Sequence, residues 1–281
     1  MKSTLLRLRE IQHTLSMTGA SIAEYMRLHP EEVVNLTVRQ LAERTFSSPS
    51  SVIRVCRSVG YEGYRDFQKA IIFEIATSDL KAPHHETELS SDDSIADIID
   101  KTIDKNVQSL EDTRTLISPD SVGRCVDLLR KAHTVLLFGI GSSFFVAEDA
   151  HLKFLRLNKP SSINSDWHAQ LLQARNSTPD DLGIIFSYSG QTTEMIECQK
   201  ALKVNGTPCI AITRYSPSPI ADAADHRLYT AANESLFRNG AMSSRLAQLT
   251  VVDIFYTAFA STEYEHCMEQ LRRTHIHKPH D

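Results

Sequence analysis

At 281 residues the chain exceeds one average domain, and two domains are the natural expectation. Hydrophobic residues at 41% and charged residues at 23% exclude a disordered or collagen-like class and indicate a soluble globular protein. A formal net charge of -5 excludes a chain-wide basic field for nucleic acid, but not one local basic helix.

Cys56, Cys125, Cys198, Cys209 and Cys267 are scattered, odd in number and free of Cys-x-x-Cys spacing, the pattern of reduced core thiols in a cytoplasmic protein. The first ten residues carry no long apolar core, and no apolar run reaches membrane-spanning length. Neither a signal peptide nor a membrane partner is therefore expected.

Residues 5–29 show a helical pattern, with Ile22, Tyr25 and Met26 at core spacing and Pro30 beyond the end. Thr37 can cap a short helix whose Val38, Leu41 and Ala42 form an apolar stripe. Phe46-Ser47-Ser48 makes a turn, and Pro49 or Ser50 opens another helix ending near Gly60. In that helix Val52, Val55, Cys56 and Val59 share one face, leaving Ser50, Ser51, Arg54, Arg57 and Ser58 largely on the other. Short helices, a tight turn and a polar, basic second helix are helix-turn-helix geometry. Ser47, Ser50, Ser51, Arg54 and Arg57 are the candidate DNA contacts, since such side chains grip phosphates and read base edges. The same stripes also suit a plain three-helix bundle that mediates protein contacts, with the arginines as solvated surface. The string from Ser51 through Gly60-Tyr61-Glu62-Gly63-Tyr64 to Phe67 closely resembles the end of the helix-turn-helix domain of RpiR-type transcription regulators. That resemblance implies a second, carboxyl-terminal domain that binds sugar phosphates.

After a helix over 64–76, residues 77–93 carry Pro83, serines, acids and the pair His84-His85, and read as a linker. No third ligand lies at a recognisable spacing from the histidines, so neither a metal nor a cofactor is expected. From Ser94 onward, Ile95, Ile98, Ile99, Ile103 and Val107 recur at helical spacing, the face of a helix that can pack on its own domain and on a second subunit. The expected division is residues 1–79, an all-α helix-turn-helix domain; 80–93, a linker; and 94–281, an α/β domain of three layers around a central parallel sheet.

The α/β expectation comes from alternation. Helical patterns at 120–131, 143–157, 167–173, 192–202, near 220 and at 241–259 alternate with near-continuous apolar strands at 134–138, 161–164, 182–186, 207–213 and 227–229. Two strands end in hydroxyl-rich turns. Phe138-Gly139-Ile140-Gly141-Ser142-Ser143 leads into one helix, and Phe186-Ser187-Tyr188-Ser189-Gly190-Gln191-Thr192 into another. Unpaired N–H groups at a helix start carry the positive end of the helix dipole, so a turn of this kind is an anion site. Phe144 stands where a dinucleotide fingerprint requires glycine, and no Gly-Lys-Ser/Thr follows for a P-loop.

The two motifs, in this order and spacing, resemble the sugar isomerase (SIS) domain, a phosphosugar-binding module, over residues 94–264. The resemblance places phosphate-binding positions on Ser142, Ser143, Ser187, Ser189 and Thr192, with Gly141 and Gly190 admitting close backbone approach and Gln191 opening the following helix. His168, at a helix start, is a candidate for a sugar hydroxyl. SIS enzymes place a glutamate and a histidine near the final helix, whereas here that helix begins Ala241-Met242-Ser243-Ser244-Arg245. Glu234 remains as a candidate base or ligand contact, Glu194 sits in the helix behind the phosphate loop, and Arg245 is open between ligand contact and surface charge. With no catalytic pair assigned, the expectation is a transcription regulator, acting as a repressor of sugar or amino-sugar metabolism genes and controlled by a phosphosugar. The alternative is a phosphosugar isomerase with a helical appendage. A regulator of this kind calls for operator DNA with an inverted repeat and a homo-oligomer, dimer or tetramer.

Overall fold

The structure is a computed structural model, and it describes residues 4–77, 90–232 and 241–276. The chain forms two compact units, Met1–Lys101 with Tyr215–Pro217, and Thr102–Arg214 with Ser218–Asp281.

The amino-terminal unit is helical: α1 (Thr4–Ile11), a 3-10 turn (Gln12–Thr14), α2 (Met17–Leu28), α3 (Pro30–Val33), α4 (Val38–Arg44), α5 (Pro49–Ser58) and α6 (Tyr64–Thr77). The single helix expected over 5–29 is thus two helices. Ser16 takes an extended conformation and its hydroxyl accepts from Gly19 N at 3.3 Å, an N-cap that restarts the chain as α2. Thr37 and Gln40 form a reciprocal capping box at the start of α4. Leu8, Ile22, Met26, Leu41, Val52, Cys56 and Phe67 are buried in one core. The tyrosine turn after α5 is tied to this core by its hydroxyls: Tyr64 donates to the Val33 and Leu36 carbonyls at 2.9 and 3.1 Å, and Tyr61 shares a hydrogen bond with Thr4 at 2.6 Å.

The second unit begins at Thr102, within α7 (Ile95–Leu116). Its elements are α8 (Pro119–Lys131), β1 (Val135–Gly139), α9 (Ser142–Arg156), β2 (Ser161–Ile163), α10 (Trp167–Arg175), β3 (Leu182–Phe186) and α11 (Thr193–Val204), then β4 (Cys209–Arg214), α12 (Pro219–Ala223), β5 (His226–Thr230), α13 (Met242–Thr262) and α14 (Tyr264–Arg273). All strands are parallel, in the order β2-β1-β3-β4-β5. β1 and β3 are fully buried and pair along their whole length, from Val135 opposite Leu182 to Gly139 opposite Phe186.

Strand alternation sends side chains to two cores. Val135, Leu137, Ile184, Phe186, Ile210 and Ile212 pack with residues of α8, α9 and α13. Leu136, Phe138, Ile185 and Ala211 pack with residues of α11 and α12 on the other face. Each of the Val, Leu, Ile and Phe side chains contributes roughly 1.5–3 kcal/mol by leaving water. The three-layer α/β arrangement around a parallel sheet is the one expected, with α14 as an unpredicted addition. Among the described residues, no helix is long and apolar enough to cross a membrane.

Candidate functional site

In a 2-1-3-4-5 sheet the connections leaving β1 and β3 run to opposite sides, opening a crevice at the carboxyl ends of those two strands. Both hydroxyl-rich turns lie there, because each directly follows one of the paired strands.

After β1 the chain turns at Gly139 and Gly141. A Cβ at Gly139 would lie 2.7 Å from the Ser143 carbonyl oxygen, so only glycine lets α9 start this close to the strand. Gly141 has φ +60° and precedes α9 without supplying a side-chain cap. Ser142 is half-buried and Ser143 buried. The Ser143 hydroxyl donates to Gln248 Oε1 on α13 at 3.2 Å.

After β3, Ser187 is buried and its Oγ lies 3.0 Å from Thr192 Oγ1. Ser189 accepts from Gln191 N at 3.2 Å, which holds the turn closed beneath its hydroxyl. Gly190 takes φ +65°, donates to the Ser187 carbonyl at 3.0 Å and accepts from Ile220 N at 3.2 Å. Because its hydroxyl faces Ser187, Thr192 stands at the N-cap of α11 without a side-chain cap bond. Two helix starts without side-chain caps therefore flank the crevice, each with a dipole that favours an anion. The positive end of each dipole and several hydroxyls supply what a phosphate requires, with no lysine in either turn.

The remaining sequence candidates divide. Gln191 is exposed at the loop tip. His168 is exposed on the first turn of α10, its ring 5.0 Å from that of Trp167. Arg245 is exposed on α13, and Glu194 is half-buried in the first turn of α11. Glu234, like His84 and His85, lies outside the described residues. No three His, Cys, Asp or Glu side chains converge for a metal ion among the described residues.

Sequence reasoning missed Gln170 and Gln248. Gln170 accepts from Gly139 N at 3.1 Å and donates to the Gly139 and Asn164 carbonyls, both at 2.9 Å, thereby fixing the end of β1. It also missed Arg214, which ends β4 with its guanidinium 6.0 Å from the centre of the Tyr188 ring. The sequence marks neither glutamine's role, since each meets a group on a distant element.

In the helical unit, α4 and α5 form the helix-turn-helix, with Ser48 as the N-cap of α5. Ser50, Arg54 and Arg57 are exposed. Arg57 Nε donates to the Glu62 carbonyl at 3.2 Å, which holds its guanidinium near the start of the tyrosine turn. Ser51 shares a hydrogen bond with Ser48 at 3.0 Å, and Ser47 turns to Thr45 at 2.9 Å. Arg39, exposed on the first turn of α4, is a cation the sequence reading passed over. In helix-turn-helix domains the helix preceding the recognition helix crosses the DNA backbone, and Arg39 lies on that helix here. Arg44 is instead engaged by Glu32 at 2.5 Å and Tyr25 at 3.0 Å.

A helix-turn-helix unit joined to a parallel α/β unit with an anion crevice defines a DNA-binding regulator with a ligand-binding domain. Comparison with known proteins agrees. The model of the helix-turn-helix domain of the rpiR family matches residues 2–78, and that of the SIS domain matches residues 128–258. An uncharacterized HTH-type transcriptional regulator of Caldanaerobacter subterraneus subsp. tengcongensis is 33% identical, the match covering 98% of this chain and 96% of the relative. YbbH, an HTH-type transcriptional regulator of Bacillus subtilis, is 32% identical over 92% of this chain and 90% of its own. Among solved structures, the NanR protein of Vibrio vulnificus complexed with ManNAc-6P matches with a TM-score of 0.60 and 26% identity, covering 97% of this chain and 96% of that one. The chain belongs to the rpiR-type family of HTH transcriptional regulators, in which a helix-turn-helix domain is followed by a SIS domain.

Proposed function

We propose that a phosphosugar bound between the β1 and β3 turns controls the affinity of the helix-turn-helix unit for operator DNA, and so the transcription of sugar or amino-sugar metabolism genes. The observation that carries this reading is the pair of adjoining hydroxyl-rich turns, each opening a helix without a side-chain cap. The phosphate is held by Ser142, Ser143, Ser187, Ser189 and Thr192 with backbone N–H groups of Gly141, Gly190 and Gln191, while His168 and Glu234 serve the sugar. That NanR was solved with ManNAc-6P supports the ligand class. Ser50, Ser51, Arg54 and Arg57 face the DNA, with Ser47 shaping the turn and residues 80–93 linking the domains. The reading of a cytoplasmic sensor, not an isomerase, is supported by the start of α13, which offers Ser243 and Ser244 in place of a carboxylate and a histidine.

Operator recognition by one short helix has little specificity, so the reading includes a homo-oligomer, dimer or tetramer, on an inverted repeat. Ile95, Ile99, Ile103 and Val107 recur every four residues along α7 and are 73%, 53%, 55% and 52% exposed, which supports a second copy on this helix. Ligand can act only by binding one arrangement of the assembly better than another, with couplings of typically ~1–3 kcal/mol. We assign the sign as repression relieved by ligand.

Calorimetry against a panel of hexose and amino-sugar phosphates, starting with ManNAc-6P, tests the ligand, and a turnover assay on the same panel tests the sensor reading. Ser189→Ala is expected to weaken the bound phosphosugar about tenfold to a hundredfold, the worth of a hydrogen bond to a charged group. Gel shifts on DNA upstream of the chain's own gene, with and without ligand, test regulation. Turnover, or Arg54→Ala and Arg57→Ala proteins that bind this DNA like the parent, would overturn the reading.

A further inference from the structure

Helix α13 turns Ala247, Val251, Val252 and Phe255 into the core, yet position 248 on the same buried side is a glutamine with 1% of its surface exposed. One end of its amide has a partner, since Oε1 accepts from Ser143 Oγ at 3.2 Å. The other end has none: Gln248 Nε2 is buried without a hydrogen-bond partner among the described residues. A primary amide nitrogen carries two donors, and a buried donor is rarely left unmade in a folded protein.

Among the described residues the domain buries three other glutamines, and of these only Gln270 also keeps an unpaired atom, its Oε1, which is an acceptor and not a donor. Gln170 Nε2 donates to two carbonyls, and Gln199 Nε2 donates to the Ile220 carbonyl at 2.9 Å. Gln248 differs from them in its neighbour. Ser143 lies in the first turn of α9, within contact of the Gly139 turn that ends β1, so the Gln248 amide lies beside the helix start that forms one wall of the crevice.

We propose that Gln248 Nε2 is a ligand donor: it hydrogen-bonds an oxygen of the molecule held between the β1 and β3 turns, while its Oε1 keeps Ser143 oriented. The assignment rests on the reading of that crevice as a phosphosugar site. It extends the site from the strand-end loops to the final helix. Gln248 thereby joins ligand occupancy to the position of α13, whose Ser243 in turn donates to Asn106 of α7 at 2.9 Å. The acceptor is an oxyanion or a hydroxyl oxygen, and the two are told apart by comparing inorganic phosphate, a phosphosugar and its unphosphorylated parent.

The test uses the full chain. Wild type is first titrated with ManNAc-6P, the other hexose phosphates and inorganic phosphate; no binding by any of them overturns the crevice reading itself, leaving no ligand for Gln248. Gln248→Met keeps the side-chain length and removes the donor. Its affinity is expected to fall at least tenfold, with the ligand-free melting temperature unchanged or raised because an unsatisfied donor is gone. Gln248→Glu keeps an acceptor for Ser143 and sets an oxygen where the N–H stood, and is expected to lose at least a hundredfold for the phosphorylated ligand. If the loss appears with inorganic phosphate too, the partner is the phosphoryl group; if it appears only with the sugar, the partner is a hydroxyl. Wild-type affinity in a folded Gln248→Met protein overturns the proposal, as does a lowered ligand-free melting temperature with unchanged affinity. Should both variants fail to fold, a crystal structure of the wild-type complex decides: Nε2 outside hydrogen-bond distance of every ligand oxygen overturns it.

Discussion

Gly190→Ala is the substitution whose outcome the geometry of the β3 turn determines most closely. At φ +65° a residue with a Cβ is strained by about 1–2 kcal/mol. The new methyl would also lie 2.1 Å from Ser218 Oγ and 2.6 Å from Ser218 Cβ. Ser218 has little room to yield, being 3% exposed and capping α12 through Ala221 N at 3.3 Å. Overpacking of a filled site adds about 1–3 kcal/mol, so the variant is expected to lose roughly 2–5 kcal/mol in urea unfolding. The expected companion effect is loss of phosphosugar binding, because the Ser187 to Thr192 hydroxyls move with the turn. Ser218→Gly removes both clashing atoms and by itself costs a few tenths of a kcal/mol of capping. Combined with Gly190→Ala it is expected to restore stability to within about 1–3 kcal/mol of the parent, leaving mainly the backbone strain. The double-mutant cycle therefore predicts favourable coupling between the two sites. Strict additivity, or a Gly190→Ala protein within 1 kcal/mol of the parent, would refute the account of the turn.

Thr113 both accepts from Ala231 N at 3.0 Å and donates to Ala231 O at 3.2 Å, with both residues buried. Thr113→Val strands those two backbone groups and should lose about 2–5 kcal/mol in a urea melt, against far less for Thr113→Ser; equal losses would show that the bonds do not matter. Phe46 has φ +48° and is 98% exposed, so Phe46→Gly relieves left-handed strain at almost no cost in burial. A stabilisation of up to about 1 kcal/mol is expected after the entropy of glycine is allowed for, and a clear destabilisation would contradict it. Burial pushes the Cys56, Cys125 and Cys209 thiols up to about 12. Native protein at about pH 8 should leave these thiols unmodified by a thiol reagent until urea is added, since unfolded thiols ionise near ~8.5. The same shift makes stability fall as pH rises above about 8.5, where the unfolded chain releases protons that the folded chain retains; a rise in that window would invert the sign.

The strands were legible because each is a short apolar run closed by glycine or a polar turn, as at Gly139 and Ser187. Right-handed crossovers bring the ends of the first and third strands together, and with them the two turns, as the pairing of β1 with β3 bears out. Helix α14 does carry an apolar stripe, Tyr264, Cys267, Met268 and Leu271, but it is short, otherwise polar and charged, and follows α13 after a single residue, so the stripe did not stand out as a separate helix. The break before α2 was signalled by Ser16, but an uninterrupted helical periodicity outweighed a single capping residue. Gln170 and Gln248 were beyond reach for a different reason. Their partners stand 31 and 105 positions away in sequence, and a glutamine within a helix does not announce which distant carbonyl or hydroxyl it will meet.

Gln170 also bears on how such a domain diversifies. Pairing between β1 and β2 ends at Leu137 opposite Ile163, although β1 continues to Gly139. There a single side-chain amide takes the backbone N–H and C=O of Gly139 in place of further strand. The segment after β2, up to Trp167 and His168, is thus released from the sheet's register at the edge of the crevice. Its length and composition can drift through insertion, deletion or grafting while the strand beside it stays in place. The fold in this way separates a part of the rim that is free to vary from the two hydroxyl-rich turns, which the paired strands β1 and β3 hold in place.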